Sequence, residues 1–179
     1  MEKPTPATDE EIKEAEEQMN PQIEWEENKS RKTSQKDWWM LIVTVGASGS
    51  RKSTWAKAQE DFKIVCPDQI RKELTGDISD QSKNHEVWIV AYERLRTYLE
   101  CGKDVVFDST ACNINTVNQI MKIANEFPVN VMFKLFEVDV DTAYSRIQID
   151  LKNGVDRSNT PREIIQKHVD NFQKVVNYI

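Results

Sequence analysis

The sequence predicts an α/β fold of three layers, with helices on both faces of a mainly parallel four-stranded sheet. Three observations carry this. Strand-like and helix-like segments alternate from Trp38 onward, and strand–helix–strand units close by right-handed crossovers into parallel sheets. The run WWMLIVTV (38–45) is continuously apolar, as in a strand covered on both faces, and it ends directly on a glycine loop. Polar residues then follow the strand-like runs, at the sheet edge where such folds bind ligands.

Taken in order, residues 53–61 read as a helix and FKIVCP (62–67) as a short second strand, with Pro67 opening the helix DQIRKEL. Between Asn84 and Cys101, Val87, Ala91, Leu95, Tyr98 and Leu99 recur at helical spacing, and Gly102 stops the helix. KDVVFDST (103–110) is the third strand, NTVNQIMKIANEF (115–127) a helix and VNVMFKLFEV (129–138) the fourth strand. A helix over 141–154 follows. Pro161 then opens a last one, with Ile164, Ile165, Val169, Phe172 and Val176 along one side.

Residues 1–37 differ from the rest. They hold eleven acidic and six basic side chains, which leaves 19 of the 30 acidic and 18 of the 24 basic residues for 38–179. The segment carries three prolines and too few apolar positions for a core face, so it reads as an acidic, mobile tail with a transient helix, and 38–179 as the one domain. A nearly neutral body argues against a broad nucleic-acid-coating surface but leaves room for a narrow site that grips a strand end. Cys66, Cys101 and Cys112 lack CxxC spacing, and with two histidines a zinc site is disfavoured. No signal-like segment and no apolar run near the about 20 residues that span a bilayer occurs, so a cytoplasmic protein without membrane contact is expected.

The stretch VTVGASGSRKSTWAK (43–57) is where chemistry enters. It matches G-x-x-x-x-G-K-[ST] except at Arg51, which stands where the second glycine belongs. In such loops the backbone amides cradle phosphate, so Gly46, Ala47, Ser48, Gly49, Ser50, Arg51, Lys52, Ser53 and Thr54 form the expected ATP site. Lys52 would reach the β- and γ-phosphates, Ser53 would ligate Mg²⁺ and Thr54 the α-phosphate. Arg51 is expected to weaken ATP binding: a position that needs positive φ opposes a side chain, while the added cation favours phosphate.

Asp68 and Arg71 lie three residues apart, on one side of a helix that begins after the second strand. An exposed carboxylate there can take a proton from a hydroxyl and an arginine can hold a phosphate; a helix cap plus a surface charge is the plainer alternative. Asp108 ends the third strand and could serve the site or cap the next helix. Arg146, Arg157 and Arg162 surround Gly154, where cations in a mobile segment can close over phosphates; for Arg146 and Arg162 a solvated face is the alternative.

From about Met40 the chain resembles the 5′-polynucleotide kinase branch of the P-loop kinases, on the stretches GASGSRKSTWAK, PDQIR, VVFDST and VDRSNTPREII. The resemblance implies a P-loop NTPase-type sandwich that transfers the γ-phosphate of ATP, with Mg²⁺, to a 5′-hydroxyl end of DNA or RNA. It also implies Lys52, Asp68 and Arg157 as catalytic residues, with Asp68 the general base and Arg157 the lid arginine. Arg71 becomes the clamp on the acceptor's phosphate and Asp108 a second acidic residue of the site. Arg51 departs from the pattern, no D-x-D-G-T phosphatase signature occurs, and residues 1–37 have no counterpart. A nucleoside, modified base or other small hydroxyl compound is the alternative acceptor, and a non-catalytic P-loop protein disabled by Arg51 is the alternative of different class. Homo-oligomerisation stays open.

Overall fold

Strand β1 (Trp39–Gly46) forms the spine of the molecule, because its residues from Leu41 onward are apolar or small and buried. This computed structural model describes residues 38–179. The acidic segment 1–37, and the tail expected there, lies outside the described residues.

After β1 come α1 (Lys52–Lys57), β2 (Lys63–Val65), α2 (Pro67–Thr75), α3 (Asn84–Glu100), β3 (Val105–Phe107), α4 (Ile114–Ala124), β4 (Val129–Phe136), α5 (Val140–Lys152) and α6 (Arg162–Val176). The sheet order is β2-β3-β1-β4, all pairs parallel, with Leu41 opposite both Val105 and Val131. The expected α/β sandwich is therefore present, and every strand ends at the same edge. Among the described residues no helix is long and apolar enough to cross a membrane.

Side chains alternate across β1 and sort the layers. Leu41, Val43 and Val45 join Val105 and Phe107 against Val87, Leu95, Leu99, Val117 and Ile120 of α3 and α4. Ile42 and Val106 face the other way, onto Ala56 of α1. Each fully buried aliphatic side chain contributes about 2 kcal/mol of transfer free energy before chain entropy is charged. Trp88 and Tyr92 of α3 lie against the Phe107 ring, with centroids 6.5 and 6.2 Å away. That packing fixes the end of β3 and with it the next residue, Asp108.

Helix α1 ends at Lys57, short of the expected Asp61, because the chain turns through hydrogen bonds from the Ala58 and Gln59 amides to Trp55 and Ala56. Strands β2 and β3 have three residues each, fewer than their apolar runs suggest: Cys66 already serves as the N-cap of α2, and of the ladder Asp108 keeps only its amide bond to the Val65 carbonyl.

Candidate active site

The loop between β1 and α1 is held from three sides. The Gly46 amide donates to the Thr110 carbonyl at 2.9 Å, tying the loop to the segment after β3. A Cβ on Gly46 would lie 2.5 Å from the Phe136 carbonyl oxygen, and one on Gly49 2.5 Å from that of Ala143. Both glycines are thus needed for close backbone approach, and Gly49 also for its φ of 85°.

Arg51 occupies the left-handed region, with φ 74° and ψ 18°. The backbone here does what a glycine would do, and the side chain escapes outward: it is 53% exposed, with its Nη1 4.0 Å from an Asp150 oxygen. The strain, roughly 1 kcal/mol, sits in the folded loop itself. Arg51→Gly is accordingly expected to raise the melting midpoint by a few degrees and to shift ATP affinity by less than about tenfold. Thermal melts and calorimetry check this; ATP binding that appears only in the glycine variant would make Arg51 a disabling substitution.

Lys52 is buried, and its Nζ donates to the Ala47 carbonyl at 2.7 Å and to Ser50 Oγ at 3.3 Å. Burial pulls its pKa down; Asp108 and Asp68 oppose that and Arg157 adds to it. Lys52 thus feels the charges of Asp108 after β3, Asp68 at the start of α2 and Arg157 after α5. His168 of α6 also feels the Lys52 charge, and burial keeps its imidazole below its ordinary pKa.

Asp108 is almost fully buried, and burial raises its pKa, with Ser53 and the Lys52 charge opposing the rise. It is no helix cap: Asn113 caps α4, accepting from the Asn115 amide. A carboxylate whose folded pKa is raised favours its protonated form in the fold, so it stabilises at low pH and loses that contribution as pH rises from its unfolded toward its folded pKa. Asp108→Asn is therefore expected to melt higher than the parent at neutral pH while transferring phosphate more slowly. Melts from pH 4 to 8 check it, and a gain that fails to grow with pH would contradict the assignment.

Asp68 stands in the first turn of α2, whose N-cap is Cys66, so the capping alternative fails here too. Burial pushes the Cys66 thiol up to about 12, with the Asp108 carboxylate adding to it, so it stays protonated. The Asp68 side chain remains 57% exposed and accepts from Arg71 Nη1. Arg71 is only 6% exposed; its Nη2 donates to Asn84 Oδ1 at 3.1 Å, and its Nε is buried without a partner. Asn84, at the start of α3, had no signal in the sequence. Nothing in one asparagine 13 residues away announces that it holds a guanidinium.

Arg157 donates to Asp150 at 2.6 Å, and its Nε is likewise buried without a partner. Arg146 reaches the Gly49 carbonyl at 3.4 Å, so it belongs to the loop's surroundings. Arg162 instead pairs with Asp141 on the surface and lies over Tyr144, which gives it the solvated-face reading.

A family profile described as AAA domain matches residues 41–175, nearly all of the described fold. The chain belongs to this AAA domain family. This AAA domain is 28% identical over 152 residues to a "Putative bifunctional polynucleotide kinase/RNA ligase" of Autographa californica nuclear polyhedrosis virus. The match covers 77% of this chain and 21% of the viral protein. Among solved structures, a chain of the Pnkp1/Rnl/Hen1 RNA repair complex superposes with a TM-score of 0.70 at 21% identity, covering 83% of this chain and 48% of the other. A second structure of a Pnkp1/Rnl/Hen1 complex gives 0.55 at 23% identity, covering 64% and 41%. The AAA domain thus spans about a fifth of its viral relative and under half of either repair-complex chain. The resemblance read from the motifs agrees with these matches, and the two superpositions bear on the fold.

Proposed function

We propose that this AAA domain, residues 38–179, is an ATP-dependent phosphotransferase that moves the γ-phosphate to a 5′-hydroxyl end of DNA or RNA. The observation that carries the reading is the Asp68–Arg71 pair at the start of α2, which follows β2 at the same sheet edge as the phosphate loop after β1 and Asp108 after β3. The naming of the viral relative as a polynucleotide kinase supports the same acceptor.

The donor site fits a nucleotide triphosphate on two grounds. The path of the loop is fixed by close packing, since a Cβ on Gly46 or Gly49 would strike the Phe136 or Ala143 carbonyl. Beside it, joined to the Arg51 end of the loop through Asp150, Arg157 has a buried Nε without a protein acceptor. Backbone amides of Ala47 to Thr54 and the Lys52 ammonium would hold the phosphates. Mg²⁺ at the Ser53 hydroxyl, beside Asp108, would offset charge on the phosphate oxygens.

In the transfer, Asp68 takes the proton of the 5′-hydroxyl as its oxygen forms a bond to the γ-phosphorus. The bond from that phosphorus to the β–γ bridging oxygen breaks, and ADP leaves. Lys52 and Arg157 offset the charge on the transferred group, and Arg71 holds the acceptor phosphate next to the attacking hydroxyl. Incubation with γ-labelled ATP and 5′-hydroxyl oligonucleotides tests this, with label expected at the 5′ end. Label in nucleosides alone would move the acceptor to small molecules, and ATP binding without transfer to either would leave a binding protein.

A further inference from the structure

Asp150 has no place in the catalytic assignments above, yet two of the arginines around the phosphate loop meet on it. Its Oδ2 accepts from Arg157 Nη1 at 2.6 Å, and its Oδ1 lies 4.0 Å from Arg51 Nη1. The Asp150 and Arg157 side chains are only 18% and 21% exposed, so this is no solvated surface pair.

Its position follows from α5. Ala143, Arg146 and Asp150 recur at three and four residues and share one face of the helix. That face meets the loop: Ala143 abuts Gly49 where a Cβ would not fit, and Arg146 donates to the Gly49 carbonyl. One turn further on, Asp150 is carried to the Arg51 end of the same loop.

We propose that Asp150 is a positioning residue of the donor site, holding Arg157 by one nitrogen so that its Nε edge is presented to the phosphate being transferred. The inference rests on the phosphate-transfer reading of the loop. Its motivation is the state of the guanidinium. One edge is fixed by a carboxylate, while the buried Nε has lost water and found no protein acceptor, a costly arrangement unless a ligand supplies one. Through Asp150 the guanidinium is tied to the Arg51 end of the phosphate loop. Arg51 adds a second, looser arm: the side chain that replaced the loop glycine is drawn to the same carboxylate and away from the amides that must meet phosphate.

The test uses the full chain and the variants Asp150→Asn, Arg157→Ala and their combination. Asp150→Asn is expected to lower kcat for oligonucleotide labelling on the order of tenfold with little change in KM for ATP, and to add no loss on top of Arg157→Ala. The arginine Nε–H resonance of Arg157, identified by its absence in Arg157→Ala, gives a readout that needs no acceptor. In the parent it should stand apart from solvated arginines and shift on adding a non-hydrolysable ATP analogue; in Asp150→Asn it should merge with them. Wild-type turnover in Asp150→Asn, additive losses in the double variant, or a resonance indifferent to the substitution would each overturn the proposal. A parent that labels no 5′-hydroxyl end while this resonance behaves as described would sink the acceptor assignment and leave Asp150 in its role.

Discussion

Asp68→Asn is expected to lower turnover by about two to four orders of magnitude, the usual worth of a positioned base, while ATP affinity stays within a few-fold. The structure makes the substitution a clean one. Asp68 sits at the start of α2 without capping it, since Cys66 holds that position. Its carboxylate is more than half exposed, open to an incoming hydroxyl. Arg71 donates to it, and an asparagine oxygen can accept that same hydrogen bond. The amide therefore keeps the geometry and removes only the capacity to take a proton. Single-turnover labelling separates chemistry from binding, and calorimetry reports ATP. A variant that keeps most of its transfer rate would take Asp68 out of the mechanism and leave the Asp68–Arg71 pair a structural one.

The parts of this molecule that were legible in its sequence are those whose cause is local. The apolar run into Gly46, the lysine and serine after it, and the aspartates that follow β2 and β3 take their places in the fold from neighbours in the chain, so spacing alone located them. Strand ends were less legible, because Cys66 turns into the cap of α2 and the Asp108 side chain is buried by contacts made only in the assembled fold. Partners across helices were not legible at all. Asn84 meets Arg71 only because α3 packs on α2, and Asp150 meets Arg51 only because α5 rests on Gly49. Ala111, with φ 44°, carries no mark of that conformation in its residue type. Arg51 is the instructive case. Its side chain breaks the motif, yet its backbone obeys it, and a pattern written in residue types has no way to report that difference.

Arg71→Ala should fall on the acceptor rather than on ATP, and it should fall hard. The guanidinium is buried, with one nitrogen on Asp68 and another on Asn84, so its plane is set before any substrate arrives. Its Nε has no acceptor among the protein's own groups. A phosphate next to the attacking hydroxyl is the acceptor we assign to it, because a guanidinium already fixed in its plane loses little entropy on forming a charge-assisted pair. Losing such a pair costs about 2 kcal/mol or more, roughly thirtyfold in kcat/KM for a 5′-hydroxyl end that carries the adjacent phosphate. Arg71→Lys should recover little of it, since an ammonium has no such fork and would still have to leave Asn84 or Asp68 to reach the phosphate. Comparing an oligonucleotide with a nucleoside that lacks the phosphate decides the role. A clamp loses its effect on the nucleoside; equal losses on both would mean that Arg71 works only through Asp68, and would move the acceptor toward small hydroxyl compounds.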